Sequence, residues 1–493
     1  MLRLSTGNRI AGGALVLALG IGAAPATGFA QEATAVLKRT AAALGADGTQ
    51  TLRYTMAGTG YTFGQPYIPG TAWPKIDIQE MTRLVNYDTA AMREEIAFSR
   101  GEPRGGGGYP LSGQVRNTGF IAGGTAWNQT AGGPSAGARF VNERVLQLWT
   151  SPQGIVKAAQ RNNASLSWTT KDGKNIALVS FTDPGRFKAV AHVNEDYLVE
   201  KIEAVFPTPV MGDTKVVTTF SNYRDSGGVK FPAKIRQSMG GHPIYDLDVK
   251  GVERNVAADI VAPEAVRIPV ERVASEKVTD GVWFLAGGSH NSVVIEMKDH
   301  LILVESPLGD ERAFAVIEAA RKLVPGKPLR YLINSHDHFD HSGGVRTAAA
   351  EGLTIVANAK AQAFYAKTFA TQNTIQPDRL AKSGKKPKFR TWTDKLDLSD
   401  ASRKVEVHRI VGNVHSEIFA MVYLPQQKIL IEADAFTPGA PNAPAPTTAN
   451  PMHVNLVENI QRLKLDVAQI LPLHGRVAPV AELYTAAKMT PAR

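Results

Sequence analysis

The chain has no cysteine in 493 residues. That excludes disulfide staples, thiolate metal sites and a cysteine nucleophile. It also lacks a long apolar run. The longest, Ile10 to Gly22, is too short to favour a permanent membrane span. Aromatic residues are sparse, at 7%. Charge is not blocked: 55 basic against 45 acidic residues give a formal +10 spread along the chain. With no nucleic-acid motif beside it, that balance serves solubility or mild attraction to anionic surfaces. No repeat of 20–50 residues is visible. No strand-to-helix serine elbow is expected, so a serine-hydrolase reading is set aside.

What is present is concentrated. Residues His336-Asp337-His338-Phe339-Asp340-His341 pack three His and two Asp into one hexapeptide. Imidazole and carboxylate suit zinc and related divalent ions. A lone His is more often a packed or surface residue, but packing does not explain three in six. Apolar Tyr331-Leu332-Ile333 precedes the cluster as the end of a buried strand. Ser342-Gly343-Gly344 follows it and leads into helical Val345–Ala350. In an extended stretch His336 and His338 share a side. Asp340 and His341 come where the chain turns and can face a second point.

Three more candidates end apolar runs downstream: His415, Asp434 and His474. Together the seven suit two zinc ions. His336, His338 and His415 would form one site, and Asp340, His341 and His474 the other, with Asp434 between them. Each ion keeps room for a shared water. Iron or manganese would suit the same ligands.

This order of HxHxDH, His, Asp and His resembles the metallo-β-lactamase-fold hydrolases over roughly residues 268–493. The resemblance implies an αββα sandwich, helices outside two mixed sheets, with metals where loops meet at one edge. One departure is Ala433 before the bridging acid, where Gly is usual. True β-lactamases of this fold generally lack that Asp. The chain therefore looks more like the glyoxalase II, lactonase and phosphodiesterase branches. The implied activity is metal-dependent hydrolysis of an ester, lactone or related carbonyl bond of a small molecule, by a hydroxide shared between the metals. Asp340 is the catalytic candidate, orienting that hydroxide and accepting its proton. A β-lactamase-type amidase or a phosphodiesterase on the same site is the alternative. An iron-dependent sulfur dioxygenase would use fewer ligands. A ligand carrier with a vestigial metal site is the reading from another class.

Further residues are weighed beside these. Asp337 should point away from the metals. His290, in a turn with Asn291, could touch substrate, and His453 could line the pocket. His408 is expected on a solvated strand face, and His192, His242 and His300 at ordinary positions. The uncharged Pro/Gly/Ala-rich segment 436–451 is expected as a loop walling the pocket. Lys382–Lys388 is read as a solvated basic loop.

Residues 1–30 read as a cleaved export signal. Arg3 and Arg9 precede the apolar core, and Gly28 and Ala30 supply the small residues a peptidase reads. Its loss would lower the charge from +10 to +8. A periplasmic or secreted location follows. Residues 31–265 are expected as a separate, mainly antiparallel β domain with a few helices, and 266–493 as the catalytic domain. The strand runs between Asn163 and Met239 are similar in pattern to lipoprotein-carrier-like half barrels. Gly105–Gly108 lacks the Lys and helix of a phosphate loop and is read as a flexible surface loop. Aromatics in Tyr54–Trp73 could face a ligand or fill the sheet. This half would recruit substrate, complete the pocket or dimerise. The oligomeric state is left open.

Overall fold

A computed structural model describes residues 26–102, 106–107, 113–267, 271–441, 443–444 and 446–491, with side chains from 31 onward. The basic and apolar parts of the expected export signal lie outside the described residues. A helix, Ala26–Leu44, then runs through the expected cleavage point. No helix among the described residues is long and apolar enough to cross a membrane.

The N-terminal part is one antiparallel sheet of thirteen strands. Six strands run outward in sequence order from Thr51–Tyr61 to one edge at Gly133–Ala136. The other seven run inward from the opposite edge, Ser165–Lys171, to His242–Arg254. The two inner ends meet, Leu52 opposite Arg254 and Gly60 opposite Tyr245. Tight turns close several of the steps, among them those at Asp172-Gly173 and Asp225–Gly228. Helices Val141–Trp149 and Pro152–Arg161 break where Ser151 caps the second by accepting from the Gly154 amide. With Ala26–Leu44 they share the sheet's apolar core around Leu44, Phe187, Phe206 and Phe231.

The C-terminal part holds a seven-stranded and a six-stranded sheet. The first is buried on both faces. Val293, Ile295, Ile302 and Val304 meet the second sheet's Val407, Met421 and Leu430. Alternate residues Val294, Leu301 and Leu303 meet helices Asp310–Leu323 and Val345–Ala350. Such strands read as continuous apolar runs because each face has a partner. Helices Pro451–Arg462 and Val480–Ala487 share the core between the sheets.

His408 corrects an expectation. The alternation Val405, Val407 against Glu406, His408 promised a solvated face. Instead His408 and Glu406 are both buried, with Nε2 of the former 2.9 Å from Glu406 Oε2. Lys395 and Lys404 reach the same carboxylate from outside, so an ion cluster replaces water there. His300 is also buried, beside Asp299.

Candidate metal centre

Every candidate ligand follows a strand. Leu329–Ile333 delivers the hexapeptide, Glu406–Arg409 leads to His415, Ile429–Glu432 to Asp434, and Gln469–Pro472 to His474. After the extended stretch, the chain turns into one helical turn, Phe339–Ser342, closed by the Ser342 amide on the His338 carbonyl at 2.7 Å. That turn carries Asp340 and His341 away from His336 and His338, as the spacing implies.

The side chains converge on Asp434. Its Oδ2 lies 2.9 Å from His341 Nε2, 3.3 Å from His415 Nε2 and 3.6 Å from His336 Nε2. Its Oδ1 lies 3.2 Å from His474 Nε2. His336 and His415 meet through Nε2 at 3.0 Å, and His341 and His474 at 3.1 Å. Two groupings of compatible ligand atoms result: His336, His338 and His415, and His290, Asp340, His341 and His474. Asp434 also groups with His336 and His341.

What makes this a ligand set is the far side of each ring. His341 Nδ1 lies 3.2 Å from Glu305 Oε2, His415 Nδ1 3.1 Å from the Gly107 carbonyl, and His474 Nδ1 3.0 Å from the Ser289 carbonyl. His336 Nδ1 meets the Ser335 hydroxyl at 3.0 Å. A ring that donates from Nδ1 keeps its Nε2 lone pair for the centre. His338 is reversed. Its Nε2 donates to the Pro66 carbonyl at 2.9 Å, and its Nδ1 is buried with no hydrogen-bond partner. An orphaned buried nitrogen beside two other imidazoles fits a cation.

Electrostatics agree. Burial and the neighbouring rings hold His336 well below the usual imidazole range. Burial pushes His338 and His290 down to about 3. These rings are neutral and able to ligate. Burial also opposes charge on His341, but the Asp434 and Asp340 carboxylates outweigh it and hold that imidazole well above its usual range. Burial works against the two carboxylates as well, and His341 first among their neighbours holds both well below the usual range. A divalent ion would answer the same field.

The surroundings extend what the sequence offered. Glu305, which ends the apolar run Leu301–Val304, is fully buried. It accepts from Asn334 Nδ2 at 3.0 Å and from the Ser335 hydroxyl, besides facing His341. An acid closing a buried strand was its only signal. His290 sits inside the centre: its Nε2 is 3.3 Å from Asp340 Oδ2, and its ring centroid is 4.2 Å from that of His474. Asp337 is buried with neither carboxylate oxygen bonded, and burial pushes its carboxyl up to about 8. It joins neither ligand grouping.

The N-terminal sheet domain reaches the same centre. Gln65 Nε2 donates to Asp340 Oδ1 at 2.8 Å, and Arg139 lies 3.9 Å from Asp340 Oδ2. Gly106 and Gly107 are buried here, which corrects the reading of 105–108 as a surface loop; Gly105 and Gly108 lie outside the described residues. The reason is steric. A Cβ on Gly106, at φ +92°, would stand 2.4 Å from the Gln65 carbonyl oxygen, so only glycine permits this approach.

Three further expectations change. The segment 436–451 is a loop, but none of its described residues lines the cavity that opens at Asp340; Phe63, Arg139, Leu308 and Phe339 do. His453 packs against Phe436, with ring centroids 5.2 Å apart, and does not line that cavity. Gly133-Pro-Ser135-Ala-Gly137 does carry the Gly-x-Ser-x-Gly spacing, but Gly133–Ala136 is an exposed edge strand and not an elbow.

Residues 285–466 match the family model described as Metallo-beta-lactamase superfamily. That match lies wholly within the C-terminal part of the chain. Among curated proteins, it is 26% identical over 168 residues to a 2,4-dinitroanisole O-demethylase subunit alpha of Nocardioides sp. (strain JS1661), covering 34% of this chain and 47% of the relative. It is 29% identical over 120 residues to a linear primary-alkylsulfatase of Pseudomonas sp, covering 23% of this chain and 18% of the relative. The chain thus spans less than half the length of either. Among solved structures, a metallo-beta-lactamase from Pontibacter korlensis is 18% identical with a TM-score of 0.34, over 44% of this chain and 98% of that one. Another, from Pseudomonas aeruginosa in the mono-zinc form, is 21% identical with a TM-score of 0.33, over 44% and 94%.

Proposed function

We propose that the chain is an exported, dinuclear zinc-dependent hydrolase that cleaves an ester, lactone or related carbonyl bond of a small molecule. Its catalytic domain, residues 266–493, is read as a four-layer αββα sandwich. The observation that carries the reading is the placement of Asp434 between two groups of imidazoles whose far nitrogens are already anchored. His336, His415 through Nε2 and His338 through Nδ1 would hold one ion. Asp340, His341 and His474 would hold the other, and Asp434 would touch both. His290 lies close enough to join the second set. When bound, the ions supply Lewis acidity and a water acidic enough to attack near neutral pH.

The chain's own residues do the rest. Gln65 and His290 fix the Asp340 carboxylate from two sides, so its orientation is set before substrate arrives. Asp340 is the group placed to orient a water and accept its proton. Glu305 and the Gly107 and Ser289 carbonyls set the tautomers of three rings. The Arg139 guanidinium puts positive charge beside Asp340, where a substrate oxygen would gain it.

The test is turnover by the zinc-loaded full chain over aryl esters, lactones, a thioester, a phosphodiester and a β-lactam. An alkyl sulfate and 2,4-dinitroanisole belong in the panel because the two curated relatives bear those names. Carbonyl-ester or lactone turnover that vanishes in Asp340→Ala supports the proposal. Exclusive turnover of the sulfate or the ether would overturn the bond assignment, and none at all the hydrolase reading.

A further inference from the structure

A large space beside the metal centre lies between the N-terminal sheet and the C-terminal part. A cavity of about 1080 Å³ runs from Asp340 and Gln65 across the face of the thirteen-stranded sheet. That equals or exceeds the volume of sites for drug-sized ligands, roughly 300–1,000 Å³. Partly exposed apolar groups line it: Phe63, Ile96, Phe140, Tyr245, Leu308 and Phe339. Phe63 and Phe339 meet edge to face, with centroids 5.1 Å apart, at the metal end. Met92, Glu94, Ile96 and Phe98 line it at every second position of one strand, so one sheet face forms the floor.

Around Phe140 the wall carries a cluster of guanidiniums, although over the whole lining seven basic side chains face seven acidic ones. Arg139 and Arg144 lie 4.4 Å and 4.7 Å from the centroid of one ring, Phe140. Arg144 donates only to neutral acceptors: the Phe120 and Trp127 carbonyls, at 3.1 Å and 2.7 Å, and the Asn128 side chain. Arg186 donates to the Asn142 side chain at 3.2 Å. Neither makes an ion pair among the described residues; Arg139 faces Asp340, which the metal site claims, and Arg139 and Arg144 both lie within electrostatic reach of Glu143. Arg83 and Arg346 in the same lining are paired, at 2.5 Å, with Glu94 and Asp378. Glu143 shares the wall and offsets part of the cluster's charge. Three guanidiniums around an aromatic wall are a receptor for an anion on an apolar body.

We propose that this cavity holds the substrate, and that the substrate is an anionic amphiphile. Its acyl or aryl body lies on Phe63, Ile96, Phe140, Tyr245 and Phe339, and its anionic group is held by Arg139, Arg144 and Arg186. This deepens the hydrolase reading and rests on it for the reaction, though not for the binding. The N-terminal domain then supplies specificity while the C-terminal domain supplies chemistry.

The experiment is fluorescence titration of the full, metal-stripped chain with a dansyl-labelled undecanoate and, separately, its uncharged methyl ester. The expected result is saturable one-site binding of both. Ile96→Trp, which fills the floor, should abolish it. The double variant Arg139→Gln with Arg186→Gln should weaken the carboxylate by roughly tenfold while moving the ester by less than about twofold. Absence of saturable binding, indifference to Ile96→Trp in a folded variant, or equal weakening of both probes by the arginine variant would each overturn the proposal. If Ile96→Trp does not fold, the surface arginine variant still decides. Because metal is absent throughout, a failed hydrolysis panel leaves this result standing. Lost binding beside intact hydrolysis of small esters would sink this proposal alone.

Discussion

The two halves of the molecule meet around one centre and reach it by different means. The C-terminal half spends side chains: five imidazoles, two carboxylates and Glu305 behind them, each in a segment that follows a strand. The N-terminal half spends mostly backbone. Pro66 and Gly107 offer carbonyls to His338 and His415, and Gly64 offers one to the Phe339 amide at 3.0 Å. Side-chain contributions come in recognisable residue types. Backbone contributions depend on how the chain is bent and leave almost no mark in residue identity. A centre built this way needs both halves, although its chemistry is written in one.

Four substitutions test that division, from the largest expected effect to the smallest. Asp434→Ala removes the group between the two ligand sets. Turnover should fall by roughly a thousandfold, the several kcal/mol that metal-centred charge stabilisation supplies. A fall of less than about tenfold would mean that Asp434 is dispensable to the reaction. Glu305→Gln keeps the shape behind His341 but removes its charge. Affinity at the second metal site should drop about 10- to 100-fold, read by competition with a chromogenic chelator. An unchanged affinity would make Glu305 a packing residue only.

Gly106→Ala reaches the centre from the other half. Its Cβ would collide with the Gln65 carbonyl, so the Gly107 carbonyl should leave His415. Metal affinity at the first site should then fall by about tenfold, near the lower end for an outer partner. A normal affinity would show that the N-terminal backbone only passes by. Gln65→Ala frees one oxygen of Asp340. Turnover should drop about three- to tenfold at unchanged metal content, since one neutral hydrogen bond is worth about 1 kcal/mol. Loss of metal instead would move Gln65 from orientation to binding.

Legibility followed the same division. Strands Ser292–Glu296 and Leu329–Ile333 and helix Val345–Ala350 stand where their apolar pattern put them. The Ser151-Pro152 break falls between two helices as its chemistry dictates. The expected ligands lie in one hexapeptide and after three further strands, and the fold gathers them into three groups that share His336 and His341. His290 and Glu305 were harder, since a single His in a turn and a single acid after a strand have many ordinary uses. His408 misled because alternation reports which residues share a face, not whether that face meets water or another ion. Gly106 and Gly107 misled because glycine serves a free loop and a tight backbone approach equally well. The cavity was invisible because Ile96, Phe140 and Arg186 come together only through the sheet.

The central claim is that seven residues hold two ions and that Asp434 touches both. Its most direct test is elemental analysis of the zinc-loaded full chain and its Asp434→Ala variant, each assayed for ester turnover in the same sample. The account predicts two ions per chain, falling to one or none with turnover lost beside them. A single ion in the unaltered chain, or two ions and full turnover in the variant, would contradict it.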